Sequence, residues 1–506
     1  MKLIKKMFVN SVDYLENSQY PMHVYLLTFL FSITLRNALE FISDATSMTW
    51  EVFFHYYLAY SSLAVCLILL FHLGTKMRVS KLIRLILPCF IILCSAPIID
   101  LFLSGGGGFD MAYFQPPYHD HIVIRFFTFF GSLEPMAITP GMRIEIFLVL
   151  FAVLIYFRYK LFSWIKALWY MILTYTVIFL FCSLPYLLKF ILHSFSLSLW
   201  PTDFVFSSFY LIILFVLGNV LVFFEVPKKY KMFISDIPWE RVFHYQLLVL
   251  FGWVLAIKIT PVVIDTKMLL SVILTEIGLF FSCLYSLVTN NIADQEIDVI
   301  SNPNRILVSE KIEYSLYKRL QWPFLILSLI YGLIAGFASF FYQLIFIANY
   351  FVYSVKPLRI KRIPYFSKYC IAFNSIVSVM IGFYLVTYSL YQFPLKIIVF
   401  FLTIYVASIQ FIDLKDIAGD SKAKINTIPV IFGERLSKIL IGIAFVLTFL
   451  SVHTILNKII LLPFLLCAGV SFFILINSKY YSDKRVFWFY LICLMFLMGY
   501  IFVFGL

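Results

Sequence analysis

The sequence predicts an all-α polytopic membrane protein, and three observations carry that prediction. Apolar residues make up 62% of the 506-residue chain. Charged residues make up only 13%, about half the share usual in water-soluble domains. Apolar runs of about 17–25 residues, enough to cross roughly 30 Å of hydrocarbon at 1.5 Å per residue, recur from one end to the other. A soluble fold could not bury so much Phe, Leu and Ile, so lipid is the solvent. Disorder, a secreted disulfide scaffold and a coiled coil are excluded by the same composition.

The runs group as about six before residue 225 and about nine after residue 240. Alternation between successive spans places all but eight of the 39 Lys and Arg on one side of the membrane. Those eight are Arg36, Arg125, Arg143, Lys189, Lys258, Lys267, Lys396 and Lys458. The positive-inside rule then puts the N-terminus in the cytosol and, with about fifteen spans, the C-terminus outside. The net charge of +13 is accounted for by the membrane, and nucleic acid is not an expected partner. The opening MKLIKKMFVNSVDYLENSQY turns polar after its basic start and does not read as a cleavable signal. The expected location is the plasma membrane of a bacterium.

The most polar stretch between apolar blocks, residues 226–241 (VPKKYKMFISDIPWER), reads as a cytosolic linker. It would separate a membrane domain at 1–225, of unknown role, from a second at 242–506. No solenoid repeat and no similarity between the halves is visible. The eight cysteines lie in or beside apolar spans without a CxxC pair, so they read as buried hydrophobes.

Acidic residues are scarce, 26 in all, yet five aspartates gather in two short segments. NNIADQEIDVISNPNRILVSEKI runs from Asn290 to Ile312 and DLKDIAGDSKAKINTIPVIFG from Asp413 to Gly433. Asn290, Asp294 and Asp298 recur every four residues, which on one helix places them on one face. Asp413, Asp416 and Asp420 follow i, i+3, i+7 spacing, again one face. Each set follows an apolar span and so belongs at the cytosolic mouth of the bundle. Carboxylates so close together repel unless a cation intervenes, and a donor set of this kind suits Mg²⁺ with substrate phosphates. Arg305 and the loop YSVKPLRIKR, with Lys356, Arg359, Lys361 and Arg362, add the cations that bind diphosphate oxygens. An apolar bundle below would hold a hydrocarbon tail.

These segments resemble the signatures of the UbiA superfamily of intramembrane prenyltransferases. The first is similar, without a gap, to NDxxDxxxDxxNxPxRPLxSGxI, the second to DxxDxxGDxxxGxxTLPVxxG, and the loop to YSxxPxRxKR. The resemblance covers residues 235–506 and about nine spans. It implies a nine-helix bundle, preceded here by about six additional spans. It also implies Mg²⁺-dependent transfer of a prenyl group from its diphosphate to an acceptor, commonly an aromatic or quinone-precursor molecule. By position, Asn290, Asp294 and Asp298 would hold one Mg²⁺, and Asp413, Asp416 and Asp420 a second. Asn290, Arg305, Arg359 and Lys361 would bind the diphosphate, and Tyr353 would face the reacting carbon beside Asp294, Asp298, Asp413 and Asp416. Asn291, Ile306, Glu310 and Lys424 depart from the signatures, and Asn291 leaves one carboxylate fewer.

Two other readings of the acidic rim stay open: a membrane transporter, and a catalytically inactive lipid-binding scaffold. The chemistry of the enzyme reading is consistent in itself. Cations stabilise the charge that builds on a leaving diphosphate, and a membrane pocket shields the allylic cation from water. In the first domain, His119, Asp120 and His121 read as a solvated turn and Gly105 to Gly108 as a flexible bend. Arg36 and Glu40, one helical turn apart, read as a buried pair.

Overall fold

The computed structural model describes residues 2–43, 50–109, 122–131, 138–194, 203–260, 262–363, 366–422 and 426–505. His119, Asp120, His121 and Lys424 lie outside the described residues. The chain divides into two compact units, Met1–Tyr230 and Lys231–Leu506. Fourteen helical segments among the described residues are long and apolar enough to cross a membrane, and no strand occurs among those residues. The protein is an integral, multi-pass membrane protein.

The first unit opens with α1 (Lys2–Asn17), α2 (Met22–Ser43) and α3 (Trp50–Thr75). Next come α4 (Val79–Cys89), α5 (Ser95–Leu103), α6 (Ile122–Phe127) and α7 (Pro140–Leu161). The unit ends with α8 (Trp164–Cys182), α9 (Leu184–Ser194) and α10 (Asp203–Glu225). Pro88 keeps α4 from continuing, and a short 3-10 turn over Phe90–Cys94 joins it to α5. The expected pair forms: Arg36 donates to Glu40 at 2.5 Å, and also to Glu145 at 3.1 Å and to the Leu93 carbonyl at 2.7 Å. One guanidinium thereby ties α2, the 3-10 turn and α7 together where no water reaches, which repays its desolvation. Asp100 accepts from the Gly141 amide at 2.7 Å and from the Thr139 hydroxyl at 2.5 Å, fixing α5 against the start of α7.

Helix α11 (Pro227–Asp236) runs from the last residues of the first unit into the second, so much of the polar stretch expected as a linker is helical. Then follow α12 (Trp239–Ile259), α13 (Thr266–Ala293), α14 (Gln295–Ser301), α15 (Tyr314–Arg319) and α16 (Gln321–Ala335). After α17 (Phe337–Ser354) and α18 (Phe366–Thr387), a single span runs through α19 (Leu395–Phe400), a π-helical turn (Phe401–Tyr405), α20 (Val406–Ser408) and a 3-10 stretch (Ile409–Lys415). The chain closes with α21 (Ile417–Lys422), α22 (Ile428–Phe432), α23 (Glu434–Leu456), α24 (Leu462–Asn477) and α25 (Asp483–Phe504). Eight of the fourteen long apolar segments fall here, not nine. The ninth apolar run is α16, whose 15 residues rise only about 22 Å.

Helix packing in lipid depends on close approach and internal hydrogen bonds, since lipid tails are as apolar as Leu. Both devices are present. Gln343 on α17, fully buried, accepts from Ser328 on α16 at 3.2 Å and donates to the Thr275 carbonyl of α13 at 3.4 Å. Gly252 on α12 and Gly382 on α18 let two backbones touch: a Cβ on Gly382 would stand 1.8 Å from the Val249 carbonyl oxygen. Replacing Gly382 by Ala should force these helices apart at a cost of about 1–3 kcal/mol. Thermal unfolding of the purified protein in detergent should register this as a lowered midpoint.

Candidate functional site

One end of the second unit collects the acids and the cations. The helix expected to carry Asn290, Asp294 and Asp298 on a single face is broken. The α13 helix stops at Ala293, Asp294 sits between helices at φ −105° and ψ 5°, and α14 restarts at Gln295. The second motif repeats this, with Asp416 at φ −101° and ψ 9° between the 3-10 stretch and α21. Both aspartates occupy the bridge region, where a short polar side chain is tolerated. The breaks give the acids of each motif different surroundings, so the single-face expectation is corrected in both.

Asp294 is gripped by the loop after α17. Arg359 donates to it at 2.9 Å and also to the Ala293 carbonyl at 2.9 Å, and Lys361 pairs with the same carboxylate oxygen. To reach this geometry Arg359 takes a left-handed backbone, φ +39°. Asn290 accepts from the Ser354 hydroxyl at 3.1 Å, which fastens α13 to the end of α17. Asp298 turns to other partners, accepting from Arg305 at 2.7 Å and from Asn302 at 3.0 Å.

The second motif enters from the neighbouring span. Asp413 pairs with Lys368 of α18 at 2.5 Å, and Lys415 with Asp483 at the start of α25 at 2.6 Å. Helix α14 packs on α21, so the segment bearing Asp298 meets the one bearing Asp420. Electrostatic interactions cross between the motifs: Asp416 with Arg305, Asp420 with Lys361, and Asp298 with Lys415. Tyr353 lies within electrostatic range of Asp413 and Arg241. The site therefore draws together Asn290, Asp294, Asp298, Arg305, Tyr353, Arg359, Lys361, Asp413, Asp416 and Asp420.

Burial raises the carboxyls of Asp298 and Asp416 above the ordinary carboxylate range. Asp420 is pushed up to about 7, first by burial and then by Asp413 and Asp416 beside it. Asp416 also keeps one buried carboxylate oxygen without a hydrogen-bond partner. A carboxylate trio that repels itself and leaves an oxygen unsatisfied fits a divalent cation. Among the described residues, however, no three His, Cys, Asp or Glu side chains already stand together at ligating distance; the acids face Lys and Arg.

Several members carried little or no signal in the sequence. Asp236, inside the segment read as a linker, accepts from the Ile306 amide at 3.3 Å and from Asn291 at 3.4 Å. Asn291 donates to the Tyr317 hydroxyl at 2.8 Å and accepts from Arg305. An aspartate at 291 would set two carboxylates against each other, which gives a physical reason for the amide there. Lys368 was visible only as one more loop cation. Ile306, the residue in place of a signature proline, is buried and uses its amide hydrogen, which proline lacks.

An apolar cavity in the second unit is lined from α12, the 395–415 span, α23 and α25, and its lining reaches Phe411, two residues before Asp413. No charged side chain lines it. The acids and cations collect at one end of the same unit that holds this uncharged cavity. The sequence profile of the UbiA prenyltransferase family matches residues 247–500, and the chain belongs to that family.

Among solved structures, the chain is similar to a UbiA homolog from Archaeoglobus fulgidus bound to DMAPP and Mg²⁺, at 16% identity and a TM-score of 0.41, over 52% of this chain and 96% of that one. A digeranylgeranylglyceryl phosphate synthase matches at 20% identity and a TM-score of 0.38, over 55% and 98% of the two chains. A UbiA homolog from Aeropyrum pernix matches at 14% identity and a TM-score of 0.41, over 51% and 95%. No curated protein matches the sequence.

The double role of Asn291 is open to measurement. Asn291→Ala should leave the Tyr317 hydroxyl and one Arg305 donor without partners, at about 1–3 kcal/mol. A drop in unfolding midpoint with membrane insertion intact is the expected outcome.

Proposed function

We propose that the protein is a Mg²⁺-dependent prenyltransferase that moves a prenyl group from its diphosphate to an acceptor of the aromatic or quinone-precursor class. The observation that carries this reading is the pairing of each acidic motif with cations from another segment, Asp294 with Arg359 and Lys361 and Asp413 with Lys368, in a unit whose uncharged cavity has Phe411, two residues before Asp413, in its lining. The distribution of Lys and Arg supports placing this mouth on the cytosolic side of a bacterial plasma membrane.

The donor's tail would enter the cavity and its diphosphate would meet Arg305, Arg359 and Lys361. Asn290, Asp294 and Asp298 would hold one Mg²⁺, and Asp413, Asp416 and Asp420 another. When bound, Mg²⁺ neutralises charge on the diphosphate as it departs. Arg359 and Lys361, now on Asp294, and Arg305, now on Asp298, would exchange a carboxylate oxygen for a phosphate oxygen, an acceptor of the same charge type. The bond from the donor's first carbon to oxygen breaks, and its electron pair leaves with the diphosphate. A new bond then forms from that carbon to the acceptor, which releases a proton. Tyr353, near Asp413, offers a ring face to the allylic cation at about 0.5–2 kcal/mol, and the apolar wall keeps water away.

A second reading has one observation in its favour. Asp294, Asp298 and Asp413 are already paired with Lys or Arg, as an inactive scaffold that binds prenyl diphosphates without transfer would require. Transfer separates the two. Membranes holding the protein, given labelled prenyl diphosphates and extracted lipids, should form a product of increased mass and release diphosphate. Asp294→Ala and Asp413→Ala should each lower the rate at least 100-fold while the protein still inserts. Chelation should stop the reaction and added Mg²⁺ restore it; full activity in chelator would defeat the metal assignment.

A further inference from the structure

Two departures from the first signature, Asn291 in place of an acid and Ile306 in place of a proline, share one consequence. Each brings an N–H that the signature residue lacks, and both hydrogens go to the same carboxylate, Asp236. Asn291 donates to it at 3.4 Å and the Ile306 amide at 3.3 Å. Asp236 ends α11, 55 residues before Asn291. Apolar packing one turn earlier explains how it arrives there. Met232 and Phe233 pack against the cluster of Val288, Ile306 and Tyr317, and residue 236 shares their face of the helix.

The orientation of an amide depends on this carboxylate. The two side-chain hydrogens of Asn291 go to Asp236 and to the Tyr317 hydroxyl, the latter at 2.8 Å, and its oxygen accepts from Arg305. Turned over, the amide would present N–H to a guanidinium, which has only donors. Arg305 uses Nη1 for Asn291 and also for Asp298, the latter at 2.7 Å, and its side chain is 24% exposed. Neither bond uses Nη2, so part of the guanidinium fork is clear of both residues. Asp236 also interacts electrostatically with Arg305.

We propose that Asp236 is a positioning residue: it supplies from α11 the negative charge that the first signature carries at position 291, and through the Asn291 amide it holds Arg305 in place for the donor's diphosphate. This role rests on the prenyltransferase reading and adds to that site a residue outside its motifs.

The acid and the amide should then be exchangeable. In the double variant Asp236→Asn with Asn291→Asp, donor and acceptor trade places. The amide at 236 donates to the carboxylate at 291 and still accepts from the Ile306 N–H. That carboxylate accepts from Arg305 and from the Tyr317 hydroxyl, and the net charge is unchanged. Each single variant breaks the arrangement. Asp236→Asn sets two NH2 groups face to face, which turns the oxygen of Asn291 away from Arg305. Asn291→Asp sets two carboxylates against each other.

The test needs no knowledge of the acceptor. A two-unit prenyl thiolodiphosphate, which resists ionisation, is titrated with Mg²⁺ into the full-length protein in nanodiscs. Asp236→Asn and Asn291→Asp should each weaken binding by about ten-fold or more. Independent lesions would multiply to about 100-fold in the double variant, whereas coupling through one amide returns it to within about three-fold of the parent. Inorganic diphosphate with Mg²⁺ should rank the variants in the same order, because Arg305 meets only the head. If Asp236→Asn does not fold, the comparison of Asn291→Asp with the double variant decides alone. Parent-like affinity in Asp236→Asn would overturn the proposal, and so would a double variant as weak as Asn291→Asp. Failure of the parent protein to bind either probe, or binding indifferent to Asp294→Ala, would instead remove the prenyltransferase reading itself.

Discussion

Neutralising charge at the mouth of an apolar bundle is the constraint on which the second unit depends. A lone carboxylate at membrane depth costs several kcal/mol even by lenient scales. Three of the acids are answered by cations: Asp294 by the 355–363 loop, Asp298 by Arg305 in its own segment, and Asp413 by Lys368 on α18. The ion pairs therefore act as fasteners in the region where apolar packing gives out. Breaking a buried pair by removing one partner typically costs about 3–5 kcal/mol. The same pairs must nevertheless release their cations to an incoming diphosphate, so the anionic ligand has to offer at least as good an acceptor as the carboxylate it displaces.

The membrane class and the identity of the acidic segments were legible because each rests on a local signal. Composition reports the solvent, and a carboxylate in an otherwise apolar chain stands out wherever it falls. The same is true of Arg36 with Glu40, whose separation is one helical turn. Glu145, the third member of that cluster, lies 109 residues from Arg36 in sequence, and no periodicity connects them. Asp236 was hidden for a different reason. Its segment is polar and short, so it read as a connection, whereas in space Asp236 braces Asn291 and Ile306. Lys368 was one of many loop cations, and only the fold distinguishes a cation that anchors topology from one that meets an acid.

Spacing misled where it assumed an unbroken helix. Four-residue steps at 290, 294 and 298 describe one face only if the helical dihedrals persist, and at Asp294 they do not. The amide of Asp294 still bonds the Asn290 carbonyl at 2.9 Å, and that of Asp298 the Asp294 carbonyl at 2.9 Å. The hydrogen-bond ladder thus survives a change of direction that the side chains do not. Two aspartates in one unusual backbone region, each between a long span and a short helix, show a single solution used twice. It lets a membrane-crossing helix deliver its last acid to one partner and the next acid to another.

The 395–415 span shows how the site and the cavity come from one strand of sequence. A uniform α-helix through it would keep one face toward the core from Leu395 to Lys415. Instead a π-helical turn at Phe401–Tyr405 widens the coil, and the 3-10 stretch from Ile409 tightens it. The wider turn directs both Phe401 and Tyr405 into the cavity wall. The tighter one carries Phe411 to the cavity's upper end and Asp413, two residues on, to Lys368. Side chains that serve the hydrocarbon tail and the ionic head thus follow each other within three residues, which a regular 100° step could not arrange on a single inward face. The departures from ideal helix geometry fall where the chain changes from one task to the other.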